Sequence, residues 1–246
     1  MRFSDATGTV CYGQNKRRVN EPLRKLLSSG ISMRRAALIL GIHRVTVAKK
    51  LRFLGIQAIE NHRSFLKSFV PLTSIQFDDL ETFEHTKLKP LSVTLAVQSK
   101  TRKILGFEVS QISAKGYLAS KSREKYGPRK DGRKMARDNL FSKLQPFTAS
   151  NVQISSDQNP HYRKDVVRYF PLARYKSFKG RDGCVTGQGE LKRGGYDPLF
   201  DLNHTFAMMR ANINRLFRRT WCTTKNKENL LYHIAIYTQF HNQTLT

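Results

Sequence analysis

Acidic residues occur beside apolar positions in two segments that lie far apart in the sequence. Asp78 and Asp79 belong to IQFDDLETFE, where Ile75 and Phe77 have the character of strand residues. Asp157 ends a second apolar segment, NVQISSD. A carboxylate beside buried strand positions is costly unless it is paired or binds a cation. Strand-borne acids in a very basic chain therefore indicate a metal site that acts on phosphates.

Two carboxylates a few ångströms apart repel each other and favour Mg²⁺ or Mn²⁺, which prefer oxygen ligands. Such ions can activate a water or a 3′-hydroxyl and stabilise the leaving oxygen at phosphorus. Other interpretations stay open. Asp78 or Asp79 could cap a turn or pair with Lys or Arg. Asp157 precedes Gln-Asn-Pro and could be simply a turn-forming residue.

The overall charge of the chain indicates a polyanionic partner. Its 246 residues include 44 Lys and Arg against 18 Asp and Glu, a formal net charge of +26. Such an excess is typical of proteins that bind nucleic acid, with a ribosome-associated protein or a membrane-surface binder as alternatives. Cys11, Cys184 and Cys222 form no CxxC pair, and no apolar stretch is long enough to span a membrane. We therefore expect a cytoplasmic, nucleoid-associated protein.

Residues 20–56 have the pattern of a small helical module that follows an irregular, basic segment at residues 1–19. Ser32 occupies an N-cap position, Gly41 permits a tight turn, and a second helix is predicted from His43 onward. This pattern predicts a helix-turn-helix whose second helix enters the major groove of DNA. The residues predicted to face DNA are His43, Arg44, Thr46, Lys49 and Lys50. The alternative is an ordinary helical hairpin with a basic, solvated face.

The pattern changes to strands after a predicted linker at residues 57–72, and one domain is expected over residues 73–246. Short connections predict an antiparallel meander of three strands, and a strand that follows a helix is expected to run parallel to the first. The basic segment 113–137 is expected to be flexible and to contact phosphates, or to be a solvated loop. The predicted strands are 74–84, 91–98, 103–111, 151–157 and 174–178; the predicted helices are 132–144, 163–170, 199–219 and 227–241.

The order of these elements predicts an α/β fold in which a ribonuclease H-like mixed sheet is flanked by helices and preceded by a small all-α module. In a ribonuclease H-like sheet the ends of the first and fourth strands lie side by side. We therefore expect Asp78 and Asp157 to face each other and to share metal.

Short motifs that extend over nearly the whole chain carry a family resemblance. They are FSDATGT, the helix-turn-helix at residues 32–54, IQFDDLETFE, SKTRKILGFEV, SSDQNPHY, LNHTFAMMRANINRLFRRTWCTTK and FHN. Together they resemble insertion-sequence transposases with a DDE-type catalytic core, of the class with a zinc ribbon, a helix-turn-helix and a ribonuclease H-like domain. The resemblance implies that Asp78 and Asp157 are the first two metal ligands, with Asp79 where the family often has Glu.

The third metal ligand of the family has no acidic counterpart at the matching position. Arg210 fits the family's basic position, and seven residues before it the chain has Asn203 rather than Glu. Asn can donate a carbonyl oxygen to a hard metal, and some relatives carry Asn there, so the resemblance implies Asn203 as the third catalytic ligand. Asp201, His204 and Glu190 are the alternatives. The family's zinc ribbon should precede FSDATGT, so the chain is expected to be N-terminally shortened.

The resemblance implies a transposase that acts on double-stranded DNA, both terminal inverted repeats and target, by Mg²⁺-dependent strand cleavage and transfer. It also implies a homo-oligomer, because two DNA ends must be joined. Phosphate contacts are expected from Arg210, Arg215, Arg218 and Arg219. The first alternative is a catalytically inactive or truncated transposase-derived DNA-binding protein. The second is a basic ribosome-associated protein.

Overall fold

A five-stranded mixed sheet forms the centre of the computed structural model, which describes residues 6–68, 71–179, 196–217 and 221–245. The strands lie in the order β3-β2-β1-β4-β5. β1, β2 and β3 are antiparallel neighbours, whereas β4 runs parallel to both β1 and β5. The predicted meander and the predicted parallel strand are therefore confirmed. The strands are β1 (Leu72–Phe83), β2 (Pro90–Gln98), β3 (Ile104–Gln111), β4 (Thr148–Asp157) and β5 (Arg174–Phe178).

Helices cover both faces of the sheet, which confirms the predicted α/β class. On one face, α7 and α8 pack through Leu202, Phe206 and Ile234 against apolar residues of β1, β2 and β3. On the other face, α5 and α6 pack against Ile75 and Phe77 of β1. The helices are α1 (Asn20–Leu27), α2 (Met33–Ile39), α3 (Arg44–Lys67), α4 (Leu118–Tyr126), α5 (Arg133–Leu144), α6 (Tyr162–Tyr169), α7 (Phe200–Asn212) and α8 (Lys227–Thr244).

The first three helices share a small core of their own. Leu23, Ala36 and Leu51 are buried there, together with Ile236 of α8. The Ser32 hydroxyl accepts a hydrogen bond from the Arg35 N–H at 3.2 Å, so the predicted N-cap of α2 is present. These local contacts fix the order helix, turn, helix over the predicted module.

The predicted linker at residues 57–72 is helical over most of its length, because α3 continues to Lys67. Packing explains the difference: Ala58 and Leu66 are buried, and the His62 Nε2 lies 2.8 Å from the Leu105 carbonyl oxygen of β3. Gly55 does not break the helix. A Cβ at this position would lie 2.4 Å from the Tyr232 Cβ, so glycine permits the close crossing of α3 and α8.

Two further segments differ from the sequence prediction. The helix predicted for residues 199–219 ends at Asn212, whose carbonyl oxygen accepts a 2.6 Å hydrogen bond from Gly30 N–H in the α1–α2 turn. Part of the basic segment predicted as flexible is helix α4, which Gly127 ends with a φ of 73°. The end of α7 depends on a tertiary contact and the end of α4 on the backbone conformation of a glycine. The periodicity of side chains in the sequence predicts neither. None of the helices in the described ranges has the length and apolar character needed to cross a bilayer.

Candidate active site

Asp78 and Asp157, the acid pair, are neighbours because β1 and β4 are parallel and adjacent. Gln76 is in register with Ser155, and each acid follows two residues later on its own strand. Side chains alternate along a strand, so residues two positions beyond a registered pair lie on the same face. Asp157 is the last residue of β4, whereas β1 continues beyond it. The acids therefore lie at a step in the sheet, where a ligand can approach β1.

Burial and mutual repulsion shape the charge of the acid pair. Burial, with the neighbouring Asp157 carboxylate second, raises the pKa of Asp78 to about 7. Burial also raises the pKa of Asp157, and the Asp79 carboxylate adds to this effect. Carboxylates held close together in a partly dry site retain a proton near neutral pH unless a cation compensates them. The acid pair is therefore an electrostatically unfavourable arrangement that a cation would relieve.

Tyr162 links the acid pair to the adjacent acid of β1. Its hydroxyl lies 2.9 Å from the Asp78 Oδ1 and 3.0 Å from the Asp79 Oδ2. Burial and the surrounding carboxylates raise the pKa of Tyr162, so the phenol keeps its proton as a donor. The ring packs on Phe77, with centroids 4.8 Å apart. Tyr162 therefore holds the Asp78 carboxylate from the α6 side.

Asp79 belongs to a buried polar cluster, the Asp79 network, which consists of Asp79, Ser92, Thr94, Arg137 and Asp165. Ser92 donates to the Asp79 Oδ1 at 3.1 Å, and Thr94 donates to the same oxygen. Arg137 of α5 lies 3.5 Å from the Asp79 Oδ2 and 2.6 Å from the Asp165 Oδ2. The Arg137 side chain is 5% exposed, so both of its ion pairs are screened from water. Pairing with a basic residue, left open from the sequence, thus applies to Asp79.

Asp157 also forms the turn that the sequence left open. Its Oδ1 accepts a 3.0 Å hydrogen bond from the Asn159 N–H, and the Asn159 Oδ1 accepts from the His161 N–H at 3.1 Å. These two bonds lead the chain from the end of β4 into α6, which starts at Tyr162. The turn fixes the Asp157 carboxylate beside β1, so its local role and its place in the acid pair are compatible.

The start of α7 is fastened to β1 close to the acid pair. The Gln76 Oε1 accepts from the Leu202 N–H at 3.1 Å, and its Nε2 donates to the Pro198 carbonyl oxygen at 3.2 Å. Asn203 follows Leu202, but its side chain is exposed and donates to the Asp197 Oδ2 at 3.0 Å. The structure therefore brings the helix that carries Asn203 to the sheet, while the Asn203 amide is engaged by Asp197.

The alternative third ligands take part in other contacts. The Asp201 Oδ2 accepts from the Lys100 N–H at 2.7 Å, and the His204 Nδ1 lies 3.3 Å from the Arg102 Nη1. Lys100 and Arg102 have φ angles of 74° and 59°, so Asp201 and His204 join α7 to the left-handed β2–β3 turn. Glu190 lies outside the described residues. Within the described ranges, no group of three or more His, Cys, Asp and Glu is placed to hold a metal ion.

The donor set of the acid pair nevertheless fits Mg²⁺ or Mn²⁺. Mg²⁺ is commonly bound through one or two carboxylates, with waters and substrate phosphates as its remaining ligands. Asp78 and Asp157 supply two carboxylates, and the Asp157 charge raises the pKa of Asp78, an effect that a divalent cation would reverse. The acid pair fits such an ion because it offers two carboxylate oxygen ligands whose negative charges repel each other.

The residues predicted to face DNA on α3 divide into two groups. His43, Arg44 and Lys49 are exposed and Thr46 is half-buried, and the His43 Nδ1 caps α3 by accepting from the Val45 N–H. The prediction that Lys50 points outward is wrong. It is 4% exposed and donates to the Asn20 Oδ1 at 2.6 Å and the Gln14 Oε1 at 3.3 Å.

Helical geometry explains the position of Lys50. It lies three residues after Val47, which is also buried, so it faces the N-terminal segment rather than solvent. Burial lowers the pKa of Lys50, while its partners there are neutral amide oxygens. Its observed role is to hold the N-terminal segment against α3.

The C-terminal arginines predicted to contact phosphates are also not equivalent. Arg210 is half-buried in the last turn of α7. Arg215 lies beyond α7 in a short 3-10 turn, and its guanidinium donates to Thr224 at 3.3 Å and to the Met33 sulfur at 2.8 Å. These contacts direct its guanidinium into the protein, and burial lowers its pKa to about 10. Arg218 and Arg219 lie outside the described residues.

Sequence reasoning missed Gln76, Arg137 and Asp165. Arg137 was one of many basic residues expected to contact phosphates, and Asp165 and Gln76 looked like ordinary polar positions. The apolar residues that flank Arg137 on its helix, Ala136 and Leu140, are the one sequence feature that marks it as inward-facing. Its carboxylate partners come from β1 and α6, far away in the sequence, so periodicity could not identify them.

Comparison with protein-family models gave no match, and comparison with curated proteins gave none either.

Proposed function

We propose that the chain is a DNA transposase with a ribonuclease H-like catalytic domain, and that Asp78 and Asp157 are its catalytic carboxylates. The observation that carries this proposal is the parallel β1–β4 register, which places the two acids side by side where β4 ends. The five-stranded order, with three antiparallel strands followed by two parallel ones, is compatible with a ribonuclease H-like sheet. The net charge of +26 supports a nucleic-acid substrate.

In this proposal Asp78 and Asp157 hold Mg²⁺ or Mn²⁺. A bound divalent ion would lower the pKa of an attacking water or hydroxyl and stabilise charge on the phosphate oxygens. The protein's own residues fix where this takes place. Tyr162 orients the Asp78 carboxylate, and the Asn159 N–H orients that of Asp157. The proposed third ligand is the Asn203 carbonyl oxygen, since it is the Asn203 Nδ2 that donates to Asp197.

DNA binding is assigned to two regions. Helices α2 and α3 are proposed to act as a helix-turn-helix, with the exposed His43, Arg44 and Lys49 and the half-buried Thr46 at the start of α3 facing the major groove. Arg210, in the last turn of α7, is proposed to contact phosphates. Terminal repeats and target DNA would be brought together by a homo-oligomer, because two ends must be joined in one reaction.

A nicking assay tests the catalytic proposal directly. Supercoiled plasmid is incubated with the wild type, Asp78→Asn, Asp157→Asn or Glu60→Gln in the presence of Mg²⁺ or Mn²⁺. Glu60→Gln is the matched control, since Glu60 is an exposed carboxylate on α3. We expect each Asp variant to lose about 100-fold or more of the metal-dependent nicking, and the control to keep it. Equal nicking by the wild type and Asp157→Asn would refute the assignment.

A second candidate function is a catalytically inactive DNA-binding protein derived from a transposase. It is favoured by one observation: the Asn203 amide is engaged by Asp197 and does not join the acid pair. This alternative predicts that wild-type protein binds duplex DNA with steep salt dependence and nicks no plasmid in either metal ion. Binding together with metal-dependent nicking would exclude it.

A further inference from the structure

A basic cavity of about 510 Å³ lies between α5 and α6, on the face of the sheet opposite α7 and α8. The cationic and imidazole side chains that line this α5–α6 cavity are Arg133, Lys134, Arg137, His161, Lys164 and Arg168. Asp131 and Asp165 are the acids of the described lining. Five Lys and Arg line the cavity; its arginines are paired with acids, and the two lysines form no ion pair with a described residue, which favours an anionic occupant.

Internal ion pairs hold the arginines of the cavity in place. Arg137 is fixed by Asp79 and Asp165, and Arg133 by Asp131 at 2.5 Å, with Glu81 at 3.7 Å. Arg137 is buried in its ion pairs, whereas the Arg133 side chain is 25% exposed and, being already positioned, loses little further freedom when it binds a ligand. Positioned guanidinium groups also match the oxygens of a phosphate group.

Lys134 and Lys164 provide the uncompensated charge of the cavity. Both are exposed, and neither forms an ion pair with a described residue. They project from different helices, Lys134 from α5 and Lys164 from α6, into the lining of the same cavity. Two unpaired ammonium groups facing one space repel each other, and an anion between them removes that repulsion.

The α5–α6 cavity shares structural elements with the acid pair. Asn159 lines the cavity, and its N–H donates to the Asp157 Oδ1 at 3.0 Å. Arg137 reaches Asp79, which is adjacent to Asp78 in β1. Asn159 and Arg137 therefore connect the cavity to the strands that carry the acid pair.

We infer that the α5–α6 cavity binds the phosphodiester backbone of the nucleic-acid strand that reaches the acid pair. The inference rests on the proposed function for the identity of that strand. The cavity would hold a phosphate next to the reacting one and so set the register of the strand at the carboxylates. The contact is to backbone and carries no base specificity.

Binding of a labelled single-stranded oligodeoxynucleotide, measured by fluorescence anisotropy in EDTA, tests this inference. A single strand is used because α2 and α3 are proposed to bind duplex DNA. We expect the double variant Lys134→Glu/Lys164→Glu to bind at least about tenfold more weakly, with a salt-dependence slope smaller by about one. The control Lys67→Glu/Lys227→Glu makes the same change in net charge at exposed sites on α3 and α8, and we expect a loss of less than about threefold.

Equal losses in the two double variants, with circular dichroism showing both folded, would overturn the inference. Inorganic pyrophosphate is the second probe. Displacement of the oligonucleotide only above about millimolar pyrophosphate supports a backbone site, whereas displacement at micromolar concentrations would assign the cavity to a small anion and overturn the inference. The Asp157→Asn variant should bind the strand in EDTA as tightly as the wild type. This measurement separates the two proposals. Strand binding can fail to depend on the cavity while nicking still depends on Asp157, and nicking can fail to depend on Asp157 while strand binding still depends on the cavity.

Discussion

The Asp79 network and the acid pair include adjacent residues of β1, Asp79 and Asp78, whose carboxylates lie in opposite electrostatic surroundings. Asp79 accepts hydrogen bonds from Ser92, Thr94 and Tyr162 and forms an ion pair with Arg137. Asp78 accepts from Tyr162 and from the Asp79 N–H, and it lies beside a second carboxylate rather than a cation. The first arrangement compensates a buried charge, and the second leaves charge uncompensated.

This contrast separates a buried acid whose charge is paired from one whose charge is not. Buried charge that is fully paired holds α5, α6 and β1 in one arrangement, and removal of a partner is costly. Uncompensated carboxylates destabilise the fold slightly and are typical of sites that bind cations or transfer protons. The two acids of one sequence motif therefore lie in different electrostatic surroundings.

The largest expected effect comes from Arg137→Met, which removes the shared partner of Asp79 and Asp165. Two buried carboxylates would lose their ion pairs, and we expect the free energy of unfolding to fall by about 3–5 kcal/mol. Urea denaturation at pH 7 measures it. The control Arg123→Met makes the same substitution at an exposed position on α4 and should change stability by less than about 0.5 kcal/mol. Similar losses of unfolding free energy in both variants would show that the ion pairs of the Asp79 network do not stabilise the fold.

The acid pair should make the stability of the protein depend on pH. The pKa of Asp78 is raised to about 7 from an ordinary value of 3.8. Between these values the folded protein binds more protons than the unfolded chain, so the stability due to Asp78 is lost as pH rises through 7. We expect metal-free wild type to lose up to about 3 kcal/mol of this contribution between pH 5 and pH 8.

The substitution Asp78→Asn should remove that pH dependence, because the amide does not titrate. Asp79→Asn, the same chemical change one residue later, should lower stability by about 1–3 kcal/mol at both pH values, since it breaks the pair with Arg137. Thermal unfolding at pH 5 and pH 8 compares the two variants. If Asp78→Asn retains the full wild-type pH dependence, the raised pKa does not belong to Asp78.

The smallest expected effect is that of Tyr162→Phe, which removes the one hydroxyl that joins the two regions. The ring packing on Phe77 is retained, so we expect stability to fall by only about 1 kcal/mol. The hydrogen bond from Tyr162 lowers the pKa of Asp78, so its loss should shift the wild-type pH transition upward. Tyr117→Phe, at a residue that is 81% exposed, is the matched control and should leave the transition in place.

The local pattern of the sequence predicted most strands and the place where the acids meet. Alternating apolar residues and short connections specified β1, β2 and β3, and a strand after a helix specified the parallel β4. The pattern failed where distant contacts override it. The sequence predicted a linker at residues 57–72, but Gly55, which lacks a side chain, lets α3 cross α8, and the helix continues to Lys67. Lys50 looked like a surface residue, but neutral amides of the N-terminal segment surround it.

The sequence alone determined the strong positive charge, the α/β class and the separation of the acids onto two strands, because composition and periodicity express these directly. Only the tertiary structure decided which of the adjacent acids Asp78 and Asp79 has its charge neutralised. Arg137 and Asp165 reach Asp79 from helices on one face, while the step at the end of β4 leaves Asp78 beside Asp157. Adjacent residues on a strand point to opposite faces and so have different neighbours. Those neighbours come from segments far apart in the chain.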